Sequence, residues 1–125
     1  MTQEKITLTM RHEESKIQQA CVRWFRYEFP EYRKNLVAIP NGYKTTLSQA
    51  RIAKAEGLVS GASDLVLFYP AKGYHGLCIE MKTEKGRQQD TQKEFQRAVE
   101  SVGYKYIICR SLDDFMKEVK NYIFL

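Results

Sequence analysis

The sequence predicts an α/β fold on three observations. Apolar residues recur at helical spacing near the N-terminus, two apolar runs flank a Pro/Gly-containing turn in the middle, and helix-like and strand-like segments alternate from there onward. A length of 125 residues with 43% hydrophobic content fits one domain over 1–125 with a single core.

The elements can be justified in order. Across residues 13–29, Ile17, Ala20, Cys21, Trp24, Phe25 and Phe29 share one face of a helix that stops before Pro30. The run LVAI at 36–39 is a strand closed by the turn residues Pro40-Asn41-Gly42, and a short helix at 46–56 ends at Gly57. After GLVSGAS come strands at 64–69 and 77–82 around a turn from Pro70 to Gly76. A helix at 90–102 places Phe95, Ala98, Val99 and Val102 on one side and terminates at Gly103. The chain closes with a strand at 104–109 and a helix opened by a capping box, Ser111 to Asp114.

Charge and composition narrow the function classes. Twenty Lys and Arg against 15 Asp and Glu give a net charge of +5 and a pI near 9.1. That balance favours a polyanionic partner, although basic residues spread along both halves equally describe a solvated surface. No run approaches the ~18 consecutive apolar residues of a membrane helix. The start MTQEK has no apolar signal core, so a cytosolic protein without a membrane partner is expected. Cys21, Cys78 and Cys109 are widely spaced and odd in number, which fits reduced core thiols rather than a disulfide framework or a zinc knuckle. His12 and His75 lack metal-helix spacing.

The middle of the chain carries the chemistry. A hairpin centred on Lys72 puts Asp64 opposite Glu80, and strand alternation puts Lys82 on the same face as both. Leu65, Leu67, Leu77, Ile79 and Met81 fall on the other face, while Val66, Phe68 and Cys78 fill out the charged one. Adjacent carboxylates repel unless a cation neutralises them, and hard oxygen ligands suit Mg²⁺ or Mn²⁺. A cross-strand ion pair with Lys82 at the end of a sheet explains the same triad without a metal, so both readings stand at this point.

Asp64 and the E80-M-K82 triplet resemble the bipartite core of the PD-(D/E)xK nuclease superfamily. The chain is similar in particular to its VRR-NUC family, through E14-S-K-I-Q18, I39-P-N-G42, G61-A-S-D64, G76-L-C-I-E-M-K82 and Gln92, in that order. Ser63 stands where the family usually has Pro, a change expected to alter loop rigidity and leave the ligand set intact. The resemblance implies a PD-(D/E)xK core, a central mixed β-sheet flanked by helices. It makes Asp64 and Glu80 metal ligands, with the Met81 backbone carbonyl as a third, Lys82 the water-orienting or charge-stabilising base, and Glu14 the completion of the acidic cluster. Taken alone, Glu14 is equally an acid in a helix's first turn. Gln18, one turn on from Glu14, and Gln92 would support the site, Gln92 by orienting Lys82 or a phosphate. Asn41 and Gly42 would approach the site or the DNA backbone, and Lys44, Arg51, Lys54, Lys85 and Arg87 flank it in sequence as candidate phosphate contacts.

The expected function is therefore a Mg²⁺- or Mn²⁺-dependent endonuclease acting on branched or junction DNA in repair, replication or recombination. Free-standing members of the family resemble phage or prophage proteins, which implies a bacterial or phage-infected cytoplasm. The alternative is a non-catalytic DNA-binding or assembly module on the same fold. Paired cuts at a two-fold junction suggest a homodimer, with Trp24, Phe25, Phe29 and the C-terminal Y122-I-F-L125 as candidate surfaces.

Overall fold

Four strands form one mixed sheet, with helices on both faces. The computed structural model describes residues 2–40 and 46–124. Helix α1 spans Gln3–Glu28 and is capped by Thr2, whose hydroxyl accepts from the Lys5 N–H at 3.3 Å. It begins well before the apolar face does, because Arg11, His12 and Glu13 are exposed and offer no apolar periodicity. Pro30 ends it and opens a 3-10 segment, Pro30–Asn35, which sequence periodicity does not signal.

Strands β1 (Leu36–Ala38), β2 (Leu65–Leu67) and β3 (Leu77–Met81) run as an antiparallel meander, and β4 (Lys105–Cys109) lies parallel to β3. Helix α2 (Leu47–Ala55) joins β1 to β2 and starts with a Thr46–Gln49 capping box. Helix α3 (Asp90–Glu100) makes the crossover that a parallel pair requires. Helix α4 (Leu112–Ile123) follows β4, with the Asp114 N–H donating to Ser111 Oγ at 3.1 Å. The Asp114 carboxylate accepts from the Arg110 N–H at 3.0 Å, so the expected capping box closes one residue upstream of Ser111.

The β2–β3 hairpin fixes the geometry that matters. Its tip is a two-residue turn in which Lys72 (φ 53°) and Gly73 (φ 85°) are both left-handed, and Ala71 and Tyr74 exchange backbone hydrogen bonds of 3.1 and 2.8 Å. The register is Leu65↔Ile79, Val66↔Cys78 and Leu67↔Leu77. Continued one step, it brings Asp64 beside Glu80, as expected from a turn centred on Lys72. Strand β2 is shorter than predicted, because beyond Leu67 the Tyr69 N–H folds back onto the Leu67 carbonyl at 3.0 Å and interrupts the ladder.

Alternation sorts the two faces. Leu65, Leu67, Leu77, Ile79 and Met81 point into the main core, where α1 and α4 supply Cys21, Phe25, Phe29, Phe115, Val119 and Tyr122. Val66, Cys78 and Tyr106 point the other way, against Phe95 and Val99 of α3. Phe68 is 53% exposed instead of filling that second face, since it lies past the end of β2. Phe25, Phe29 and Tyr122 are buried, and Trp24 stands edge-on to Phe29 and Phe115 at 5.8 and 5.9 Å. Phe124 packs over Phe29 at 5.7 Å. Phe25, Phe29 and Tyr122 thus serve the core, with Trp24 and Ile123 packed against it, which corrects the expectation that they form a dimer surface; Phe124 remains 55% exposed, and Leu125 lies outside the described residues. The three cysteines are buried and free, and burial pushes the Cys21 and Cys109 thiols up to about 12. Among the described residues, no helix is long and apolar enough to cross a membrane.

Candidate active site

A cleft of about 1220 Å³ opens at the end of the sheet where β1 finishes, β2 begins and β3 ends. Asp64, Glu80 and Lys82 line it, together with Glu14 and Gln18 from α1 and Gln92 from α3. The triad comes from the hairpin register, and Glu14 and Gln18 lie one turn apart on α1. Lys82, only 6% exposed, leads into a turn in which the Gly86 N–H donates to the Thr83 carbonyl at 3.1 Å. The Arg110 guanidinium clamps that turn by donating to the carbonyls of Thr83, Glu84 and Gly86 at 2.8, 3.2 and 2.6 Å.

The backbone of β3 orients the acids. Its even-numbered residues bond β4, as shown by the Lys105 N–H on the Gly76 carbonyl and the Lys82 N–H on the Cys109 carbonyl, both at 3.0 Å. Met81 therefore turns its peptide groups to the β2 side, where its N–H donates to Asp64 Oδ2 at 2.7 Å. Glu80 is 3% exposed. Gln92 Nε2 donates to Glu80 Oε2 at 3.0 Å, and the Tyr106 hydroxyl approaches Oε1 at 3.5 Å, the outer edge of hydrogen-bond reach. Gln88 Nε2 in turn donates to the Tyr106 hydroxyl at 3.3 Å and to Gln96 Oε1 at 2.8 Å.

Burial, then the charge of Asp64 and a hydrogen bond to it, push the Glu80 carboxyl up to about 9, with Lys82 opposing. Desolvation also raises Glu14, whose carboxyl feels Lys82 and Arg11 in the opposite direction and Asp64 in the same one. Glu80 thus keeps its proton to a higher pH than an ordinary carboxyl does. Among the described residues, no three His, Cys, Asp or Glu side chains gather closely enough to hold a metal ion between them.

The remaining sequence candidates separate by position. Lys54 lines the cleft, whereas Arg51, Lys85 and Arg87 are exposed and lie outside its lining. Asn41, Gly42 and Lys44 lie outside the described residues. Gln92 contacts Glu80 rather than Lys82. Gly61 earns its place by close approach: at φ +83°, a Cβ there would sit 2.3 Å from the Thr91 carbonyl oxygen at the start of α3. Ser63 is fully buried, and its hydroxyl donates to the Leu65 carbonyl at 3.1 Å, tying down the start of β2. Sequence reasoning missed Tyr106, Gln88 and the cleft arginines Arg11, Arg23 and Arg26. Helical spacing from Glu14 signals Arg11, three residues before it, but not Arg23 or Arg26, and nothing in the sequence fixes the β3–β4 register that brings Tyr106 to Glu80.

The mixed sheet, its flanking helices and the acid–acid–lysine cluster define an α/β domain of the PD-(D/E)xK type. The chain belongs to the VRR-NUC domain family, whose model matches residues 2–113, and it is by that membership a nuclease-type domain. A solved structure named "VRR_NUC domain protein" shares the fold with a TM-score of 0.77 and 22% identity, over 88% of this chain and 87% of that one. None of the curated proteins matches the sequence.

Proposed function

We propose that this protein is a divalent-metal-dependent DNA endonuclease that hydrolyses phosphodiester bonds, with Mg²⁺ or Mn²⁺ as cofactor and branched DNA as substrate. The observation that carries the reading is the pairing of Asp64 with a buried Glu80 beside Lys82, inside a cleft. The donor set fits a hard divalent cation: a buried Glu80 carboxyl, raised by its burial and by Asp64 beside it, has a standing electrostatic demand for positive charge. Asp64, Glu80 and the Met81 carbonyl, which the strand turns to the Asp64 side, would hold it. Glu14 would complete the shell through water, since Mg²⁺ keeps several of its waters. When bound, the ion polarises the phosphoryl oxygens and lowers the pKa of water.

The chain's own residues do the rest. Gln92 and Tyr106 fix the two oxygens of Glu80. The Met81 N–H fixes one oxygen of Asp64. Lys82 brings an ammonium to the site that offsets charge developing on the phosphate, and its burial leaves it few competing waters. Lys54 faces the same cleft and adds a phosphate contact. Structure-selective cutting in repair, replication or recombination, in a bacterial or phage-infected cytoplasm, completes this reading. A homodimer belongs to it as well, because a two-fold junction needs paired cuts.

The absence of a third close acid among the described residues favours a second reading, a DNA-binding or assembly module without catalysis. Calorimetric titration of Mg²⁺ and Mn²⁺ separates the two. The parent binds and Asp64→Asn loses most of the affinity if the first is right, whereas a parent that binds neither ion supports the second. Cleavage of branched DNA should fall by orders of magnitude in Asp64→Ala, Glu80→Ala and Lys82→Ala, with the circular dichroism of the fold unchanged.

A further inference from the structure

We infer that the outer face of α1 is a phosphate track, which holds one DNA strand at least about four nucleotides away from the bond being cut. The inference rests on the nuclease reading for its ligand and goes beyond it in assigning a surface. Arg11, Arg23 and Arg26 all line the same cleft as Asp64, Glu80 and Lys82, and all three are exposed. At 3.6 residues per turn Arg26 and Arg23 are turned about 120° and 180° round from Glu14, so the cleft wall wraps round α1 as it runs along it. Glu14 is the acid this wall contributes, and the Arg11 charge acts on it directly, so Arg11 belongs to the catalytic end. Arg23 and Arg26 stand further along, with no acidic side chain of α1 lining the cleft beside them.

The spacing sets the ligand. With ~1.5 Å of rise per residue, Arg23 and Arg26 lie ~13 and ~18 Å along the helix axis from Glu14. A nucleic-acid strand advances ~3.4 Å per nucleotide along a duplex axis, so those axial distances, which the turn round the helix only lengthens, correspond to at least about four and five nucleotides. Two guanidiniums at that separation match successive phosphates, which arginine binds through its paired donors. Among the described residues no base-reading element accompanies them, so the contact positions the strand without specifying its sequence.

The test measures binding in EDTA, so that it does not depend on catalysis, by fluorescence anisotropy on a labelled splayed duplex over a salt series. The doubly substituted Arg23→Gln/Arg26→Gln protein should lower the slope of log K against log salt by about two, and weaken binding equally for unrelated sequences. Arg33→Gln/Lys34→Gln removes equal charge from the 3-10 segment outside the cleft and should leave the slope within experimental error of the parent's. Arg23→Lys/Arg26→Lys should keep most of the slope, which guards against a folding artefact. Equal slopes for the cleft variant and the parent, or equal losses for both neutralised variants, overturn the track. A parent that binds no DNA removes the nuclease reading and the track together. With an active parent, shortening the arm on the track side below about four nucleotides should lower cleavage and abolish the difference between the parent and the cleft variant.

Discussion

Glu80 is where burial and charge conflict most. Its carboxyl is raised from 4.5 to about 9, first by desolvation and then by Asp64. Between those values the folded protein holds a proton that the unfolded chain has released, so stability falls as pH rises through the window. The contribution is fully present below pH 4.5 and gone above about 9, with a limiting slope of about 1.4 kcal/mol per pH unit. Melting the parent and Glu80→Gln at pH 5.5, 7 and 8.5 should therefore show the parent losing stability and the variant staying nearly level. Parallel curves would mean that Glu80 is ionised in the folded state. If the proposed metal site is right, saturating Mg²⁺ at pH 8.5 should return much of the loss to the parent and little to the variant, because an ion at Asp64 and Glu80 would replace the proton. Gly61 gives a second test on backbone grounds alone. Gly61→Ala needs a left-handed backbone and collides with the Thr91 carbonyl, so it should cost at least ~1–3 kcal/mol in a denaturant titration. An unchanged midpoint would show that the loop can lift away from α3.

At the scale of elements, what the sequence revealed followed what was local. The hairpin register, and with it the Asp64–Glu80 pair, was legible because a tight turn couples the two strands residue by residue. The parallel β3–β4 register was not, since α3 intervenes and any offset satisfies the apolar pattern of both strands. Tyr106 consequently stayed hidden, while Gln92 was visible as a helix residue though not as a partner of Glu80. The first part of α1 was missed for the opposite reason, because the exposed run Arg11, His12 and Glu13 separates it from the apolar face that could be read. Packing of α1 on α4 is the element-level feature that can be tested. Phe115 is fully buried and stands edge-on to Trp24, so Phe115→Ala should destabilise the protein by about 3–5 kcal/mol. The same core encloses Cys21 and Cys109, whose thiols sit near 12. Their labelling by a thiol reagent should run at the rate of unfolding and quicken in Phe115→Ala. Fast labelling of the native parent would contradict a closed core.

At the scale of the whole molecule, the proposed function raises the question of how one small chain would cut two strands. The described residues form one such cleft around Asp64, Glu80 and Lys82, so under that proposal a single copy would present one cutting centre to a junction whose two-fold symmetry offers two equivalent bonds. A C₂ pair supplies the second centre without any further domain. With Phe25, Phe29 and Tyr122 committed to the core, such a pair must form through other residues, and truncating the C-terminal aromatic run would damage folding before it touched assembly. Light scattering at micromolar concentration should therefore report a species of about twice 14.6 kDa. Refolding parent and Asp64→Ala protein together should give mixed dimers that nick one strand of a junction and leave the other whole. A 14.6 kDa particle that cuts both strands in one encounter would eliminate the paired-site arrangement and require a single cleft to rebind between cuts.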